Sequence, residues 1–184
     1  IDKRASIALT QPDESLFVIG KTAGHLGCSL YLRDVIGRQS TDLGAPPPVN
    51  LDLEKAHGAF VREGVQQGHF SAVHDVSDGG LLMALVEMAM AGELGLSISK
   101  PDTNEATPHH AYWFGEDQAR YVVCVPQSQK TEFSQAAEKA GIFIAELGKT
   151  GGAELTLDGT VLISIEQLKS AHESWLPDYM SVVD

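Results

Sequence analysis

The sequence predicts an α/β or α+β domain built on a mixed β-sheet, and three observations carry the prediction. Short apolar runs at residues 16–20 and 121–125 alternate with stretches of helical period. Two further short runs, 154–157 and 160–163, flank Asp158-Gly159, which is the strongest hairpin signal in the chain and adds an antiparallel pair near the end. The 184 residues are enough for one core that buries roughly 70% of the unfolded chain's surface, so one domain over 1–184 is the default.

The elements follow in order. Residues 16–20, entered from the turn at Pro12-Asp13-Glu14-Ser15, read as a short buried strand. Residues 23–29 carry Gly24, Gly27 and Ser29 and read as a loop or helix start, continued at loose helical spacing by Leu30, Tyr31, Asp34 and Val35. From 37 to 50 the composition shifts to Gly, Ser, Thr and three successive prolines, an extended internal connection rather than a domain boundary.

A helix is expected from Asp52, with Leu53, Ala56, Phe60 and Val61 on its inner face and Gly68 just past its end. His57 and His69 beside it read as solvated or capping residues. Residues 81–91 predict a helix that is apolar nearly all round and therefore buried, stopped by Gly92, with Met83, Met88 and Met90 filling the core and Glu87 as a structural partner. Residues 94–99 alternate as a strand, 101–108 form a polar loop that leads to His109-His110, and 121–125 form a central strand. An amphipathic helix over 130–140 closes at Gly141, a strand follows over 142–147, and a terminal helix over 166–175 breaks at Pro177.

Composition excludes several partners. A net charge of -12 and a pI near 4.9 leave no basic stripe for a nucleic-acid backbone or an anionic membrane. The run at 81–86 is broken by Glu87, far short of the ~20 apolar residues of a membrane span. Two cysteines, Cys28 and Cys124, form no disulfide framework or zinc pattern and fit a reducing cytoplasm. The N-terminus shows no signal-peptide pattern and no initiator Met, which suggests a piece of a longer protein.

The chemistry concentrates at His74-Asp75-Val76-Ser77-Asp78-Gly79-Gly80, between an apolar approach and the buried helix. At such a strand-turn-helix the first helical N–H groups and the helix dipole favour an anion. Asp75 and Asp78 supply the hard oxygens that magnesium prefers, Ser77 can donate to a phosphate oxygen, and Gly79 and Gly80 admit a close backbone approach. The same residues also make an ordinary N-cap and tight turn. Gly115-Glu116-Asp117, ahead of the strand at 121–125, reads either as a second acidic turn at this site or as solvated acids.

Residues 16–20, Leu26-Gly27-Cys28-Ser29, the turn from His74 to Gly80 with its helix, Phe114-Gly115-Glu116-Asp117-Gln118-Ala119-Arg120 and the ending from 163 to 176 together resemble the C-terminal domain of the phosphoribosylformylglycinamidine synthase family, within the AIR synthase-related superfamily. The resemblance implies three layers, with helices flanking a mixed sheet, packed beside an N-terminal ATP-binding domain of the same protein. It implies ATP and Mg2+ as cofactors and a glutaminase domain or subunit as partner. It implies a reaction in which ATP phosphorylates the amide oxygen of formylglycinamide ribonucleotide and ammonia from glutamine then displaces it. Carried onto this sequence, Asp75 resembles a magnesium ligand and Ser77 an ATP contact, and Asp78, Gly79 and Gly80 complete the phosphate turn. No catalytic residue is carried over, no role falls to Glu116 or Arg120, and the domain alone should not catalyse. Cys28 departs from the family's Leu-Gly-Gly-Ser pattern, and a positive φ there would strain it. Two other readings stay open: a packing and assembly module without catalysis, and a superfamily relative acting on a different acceptor.

Overall fold

The computed structural model describes residues 3–102 and 106–181; Ile1 and Asp2 of the N-terminal reading and residues 103–105 of the expected polar loop lie outside them. The strands are β1 (Ser15–Ile19), β2 (Ala72–Asp75), β3 (Leu96–Ile98), β4 (Tyr121–Val125), β5 (Ile144–Thr150), β6 (Glu154–Leu157) and β7 (Thr160–Ser164). The α-helices are α1 (Leu51–Gln67), α2 (Gly80–Gly92), α3 (His109–Phe114), α4 (Lys130–Ala140) and α5 (Ile165–Ser181). One sheet runs β2-β4-β1-β5-β3-β6-β7. Its strand pairs are antiparallel except β3 with β6, so the expected mixed sheet is present.

Side-chain alternation along β1 and β4 builds the three layers. Leu16, Val18, Val122 and Cys124 point into a core with α2, Tyr112 and Trp113 of α3, and Ile165 of α5. Phe17, Ile19, Val123 and Val125 point the other way, onto Val61 of α1, Phe70 and Phe133 of α4. Strands covered on both faces read as continuous apolar runs, which is why these two were legible. Phe133 is the hub of the second core, edge-on to Phe17 and Phe70 with centroids 5.3 Å apart in each case.

Several expectations need correction. Asn50, not Asp52, opens α1: its side chain accepts from the Asp52 and Leu53 N–H groups, both at 3.1 Å. The inner face of α1 is His57, Val61 and Gly64, and Leu53 and Ala56 are exposed. Gly64 fixes that rotation, because a Cβ there would stand 2.3 Å from the Phe70 ring. His57 and His69 are buried rather than solvated; His57 Nδ1 donates to the Ala119 carbonyl at 2.6 Å.

The buried helix ends one residue later than expected, with Glu93 rather than a glycine at positive φ. Gly92 is required for another reason, since a Cβ there would lie 1.8 Å from the Leu9 carbonyl oxygen. Met88 is fully buried, but Met83 is on the exposed side. His109-His110 opens a short helix rather than closing a loop, and that helix buries Tyr112 and Trp113. The strand expected over 142–147 is shifted to Ile144–Thr150, and that expected over 94–99 shortens to Leu96–Ile98. Helix α5 runs through Pro177 to Ser181; its outer turns are exposed, so water can satisfy the carbonyl that Pro177 leaves unpaired. The hairpin is as expected, with Asp158 and Gly159 both at positive φ.

Both cysteines are free. Burial pushes the Cys124 thiol up to about 12, so it behaves as a core residue. No helix among the described residues is long and apolar enough to cross a membrane.

Candidate functional site

Strand β2 delivers the turn, and its partners hold it still. Asp75 pairs in register with Tyr121 of β4, and the Val76 N–H donates to the Arg120 carbonyl at 2.9 Å. His74, beside it, has Nε2 2.9 Å from Glu87 Oε2, so Glu87 is a structural partner as its sequence position suggested. Gly79 and Gly80 both take positive φ, at +77° and +72°. At Gly80 the need is also steric, because a Cβ would stand 2.6 Å from the Gly115 carbonyl oxygen where α2 crosses the end of α3.

The sequence-predicted residues divide by exposure. Asp75, Ser77 and Asp78 face solvent, with the Asp75 side chain 70% exposed, whereas Gly79 and Gly80 are buried. Neither glycine N–H is open: Gly79 donates to Glu116 Oε1 at 2.8 Å and Gly80 to the Ser77 carbonyl at 3.0 Å. The glycines therefore shape the turn, and its exposed chemistry is two carboxylates and a hydroxyl.

A polar cleft of about 170 Å³ opens beside the turn, lined by Asp75, Ser77, Gln118, Tyr121 and, reaching from α1, Glu54. Burial raises the Tyr121 phenol above its ordinary pKa, and the Glu54 and Asp75 carboxylates add to the effect. Arg120 is the cleft's one basic residue, and its guanidinium is fully buried and turned inward. Larger grooves of about 390 and 570 Å³ lie between α1 and α4 and between α2 and α5, away from the turn.

These residues suit a cation that arrives with the ligand's own oxygens. No group of three or more His, Cys, Asp or Glu among the described residues could hold a metal ion alone. Magnesium is commonly held by one or two carboxylates, with phosphate oxygens and waters completing its shell. Asp75, joined in the cleft by Glu54, fits that donor set, and a phosphate entering this acidic cleft needs such a counter-charge.

Sequence reasoning missed what lies behind the turn. Glu116 and Asp117 are not solvated acids; they form a second acidic turn beside the first, with both carboxylates bonded to backbone N–H groups. Glu116 Oε1 accepts from Leu30 N–H at 2.9 Å as well as from Gly79. Asp117 is buried and accepts from the Ala23, Gly24 and His25 N–H groups at 3.1, 2.8 and 3.2 Å. Arg120 donates to the Asp117 carbonyl at 3.0 Å, to Thr22 Oγ1 at 3.2 Å and to the Gly115 carbonyl at 2.6 Å. Burial lowers its pKa, against which Asp117, Tyr112 and Glu116 act. Three acceptors around one buried guanidinium make it the anchor of this rim.

Cys28 sits in the same rim, at φ +61°. Its N–H donates to the Leu43 carbonyl at 2.8 Å and its thiol to the Gly44 carbonyl at 3.1 Å, so the loop closes despite the side chain. Cys28→Gly is expected to stabilise the chain by roughly 0.5–1 kcal/mol, relief of the left-handed strain exceeding the extra chain entropy of glycine. Urea denaturation with an unchanged m-value measures it, and a lower midpoint would show that the thiol contact outweighs the strain.

A mixed sheet covered by helices on both faces, with exposed carboxylates and a hydroxyl on the turn at the head of its most buried helix, defines the class: a three-layer α+β domain with a polar rim. The chain belongs to the family described as AIR synthase related protein, C-terminal domain, whose model matches residues 11–158. It is 53% identical over 180 residues to a protein of Parvibaculum lavamentivorans named phosphoribosylformylglycinamidine synthase subunit PurL, covering 98% of this chain and 24% of that protein. The protein of the same name from Methylocella silvestris is 49% identical, over 96% of this chain and 23% of its own length. The chain thus spans about a quarter of these curated relatives. Among solved structures, Thermotoga maritima PurL complexed with FGAR superposes with a TM-score of 0.72 at 18% identity, over 90% of this chain and 29% of that one. Thiamine-monophosphate kinase from Stenotrophomonas maltophilia gives 0.59 at 17% identity, over 88% and 55%. At these identities the superpositions establish the shared fold.

Proposed function

We propose that this chain is the C-terminal portion of a phosphoribosylformylglycinamidine synthase, working in the cytoplasm, and that it supplies one wall of an ATP-magnesium site. In this reading ATP and Mg2+ bind between the turn and an N-terminal ATP-binding domain of the same protein, formylglycinamide ribonucleotide is the acceptor, and a glutaminase partner delivers ammonia. The observation that carries the reading is the exposure of Asp75, Ser77 and Asp78 on one turn, with Asp75 and Ser77 lining a cleft whose one basic residue, Arg120, is buried. Relatives at 53% and 49% identity that bear the synthase name support it. Asp75 would hold the magnesium, Ser77 would donate to a phosphate oxygen, and Asp78 would add a second carboxylate. Gly79 and Gly80 would set the turn's shape.

Titration of Mg·ATP into the parent synthetase and its Ser77→Ala variant tests this. Loss of one hydroxyl donor to a charged oxygen is expected to weaken binding by about tenfold or more. Unchanged affinity favours the other reading, a packing and assembly module whose turn merely starts α2, for which the closed Gly79 and Gly80 N–H groups speak.

A further inference from the structure

We infer that Glu116 and Asp117 are built-in anions: their carboxylates hold the N–H group that leads into α2 and the N–H groups of the loop at 23–25, and so assemble the rim on which the side chains of Asp75 and Ser77, with their cation, would meet a ligand phosphate. Only that last step rests on the proposed function. The placement of the two carboxylates stands on geometry alone.

The start of an α-helix carries partial positive charge and unpaired N–H groups, and successive N–H groups around a tight turn form a second such concavity. In many proteins a bound phosphate takes these places. Here Asp117 takes the whole of the second place, and Glu116 takes the N–H of Gly79 one step ahead of α2. Glu116 Oε1 bridges the N–H groups of Gly79 and Leu30, at 2.8 and 2.9 Å, and so joins α2 to the turn that begins the 31–35 segment. Asp117 is cupped by three successive N–H groups, with Gly24 at φ +79° completing the cup.

Neither carboxylate is poised to leave. The Glu116 N–H donates to the His25 carbonyl at 2.9 Å, tying the acidic turn to the loop it serves. The main chain on both sides is gripped by Arg120, through the carbonyls of Gly115 and Asp117. A phosphate that displaced Glu116 would break two charge-assisted hydrogen bonds and leave a carboxylate beside its own charge. Glu116 and Asp117 are thus positioning residues, which assemble the rim before any ligand arrives.

Removing the anion and returning one from solution tests this on the 184-residue chain. Glu116→Ala is expected to lower Tm by roughly 5–10 °C, and acetate or inorganic phosphate to restore most of the loss in that variant while leaving the wild type unmoved. In 15N spectra the Gly79 and Leu30 amides of the variant should move with added acetate, and those of the wild type should stay fixed in inorganic phosphate. If Glu116→Ala does not fold, Glu116→Gln keeps the acceptor without the charge, and its Gly79 and Leu30 amide protons should shift upfield. An acetate-insensitive Glu116→Ala, unshifted amides in Glu116→Gln, or wild-type Gly79 and Leu30 amides that respond to inorganic phosphate would each overturn the inference. None of these readouts requires nucleotide binding, so failure here is distinct from failure of the Ser77→Ala titration.

Discussion

Replacing Arg120 by alanine is expected to cost the chain about 3–5 kcal/mol of folding stability, the largest loss foreseen for any single side chain of the rim. Its guanidinium is fully buried, and each of its nitrogens has a defined acceptor. Truncation takes a donor away from the Gly115 and Asp117 carbonyls and from the Thr22 hydroxyl, in a place water does not reach. It also removes the counter-charge whose nitrogen lies 3.8 Å from the buried Asp117 carboxylate, and opens a cavity beside Gly20, whose added Cβ would meet the Arg120 side chain at 3.1 Å. At about 2–4 °C per kcal/mol for a chain of this size, Tm should fall by roughly 6–20 °C. Arg120→Lys keeps the charge but cannot reach three acceptors in a plane, so it should recover less than half of the loss. Denaturant unfolding measures both variants, and an Arg120→Ala chain within about 1 kcal/mol of wild type would remove Arg120 from its place as anchor.

The legible part of the fold was the part whose signal is local. Strands β1 and β4 are apolar at nearly every position because helices cover both their faces, and Asp158-Gly159, Gly68 and Gly141 mark turns and caps through their own φ preferences. What stayed hidden depends on distant partners. The inner face of α1 turns on Gly64, which counts as neutral in any apolar period and is buried because Phe70 lies against it. Gly92 looked like a helix stop, and its true constraint is the Leu9 backbone, far away in sequence.

The site divides in the same way. Exposed carboxylates and a hydroxyl at a strand-turn-helix can be read from a single short run of consecutive residues. That the Gly79 N–H is already taken cannot be read there, because its acceptor is 37 residues downstream and that acceptor's second donor is 86 residues upstream of it. The sequence shows an acidic Glu116-Asp117 pair, and only the fold shows that both carboxylates turn inward.

In the proposed synthetase, Asp75→Asn is expected to lower turnover by at least ~10²-fold, the scale of losing an electrostatic partner in phosphoryl transfer. The substitution is close to isosteric, and the main chain around it is held by the β2–β4 register and by the Val76 hydrogen bond to Arg120, so the turn should keep its shape. What changes is charge. A neutral amide oxygen is a far poorer magnesium ligand than a carboxylate, so the defect should shrink as Mg2+ is raised, whereas a folding defect would not respond to the metal. Tyr121 provides a second readout. Burial and the Glu54 and Asp75 carboxylates together raise its phenol pKa, so removing the Asp75 charge should bring that pKa down toward its ordinary value, visible in a spectroscopic pH titration. A variant with the lowered Tyr121 pKa and near-normal turnover at limiting Mg2+ would establish that the charge had gone without consequence, and Asp75 would then not be a metal ligand. A variant with both changes would tie the exposed carboxylate of the turn to the cation that brings the phosphate into an otherwise acidic cleft.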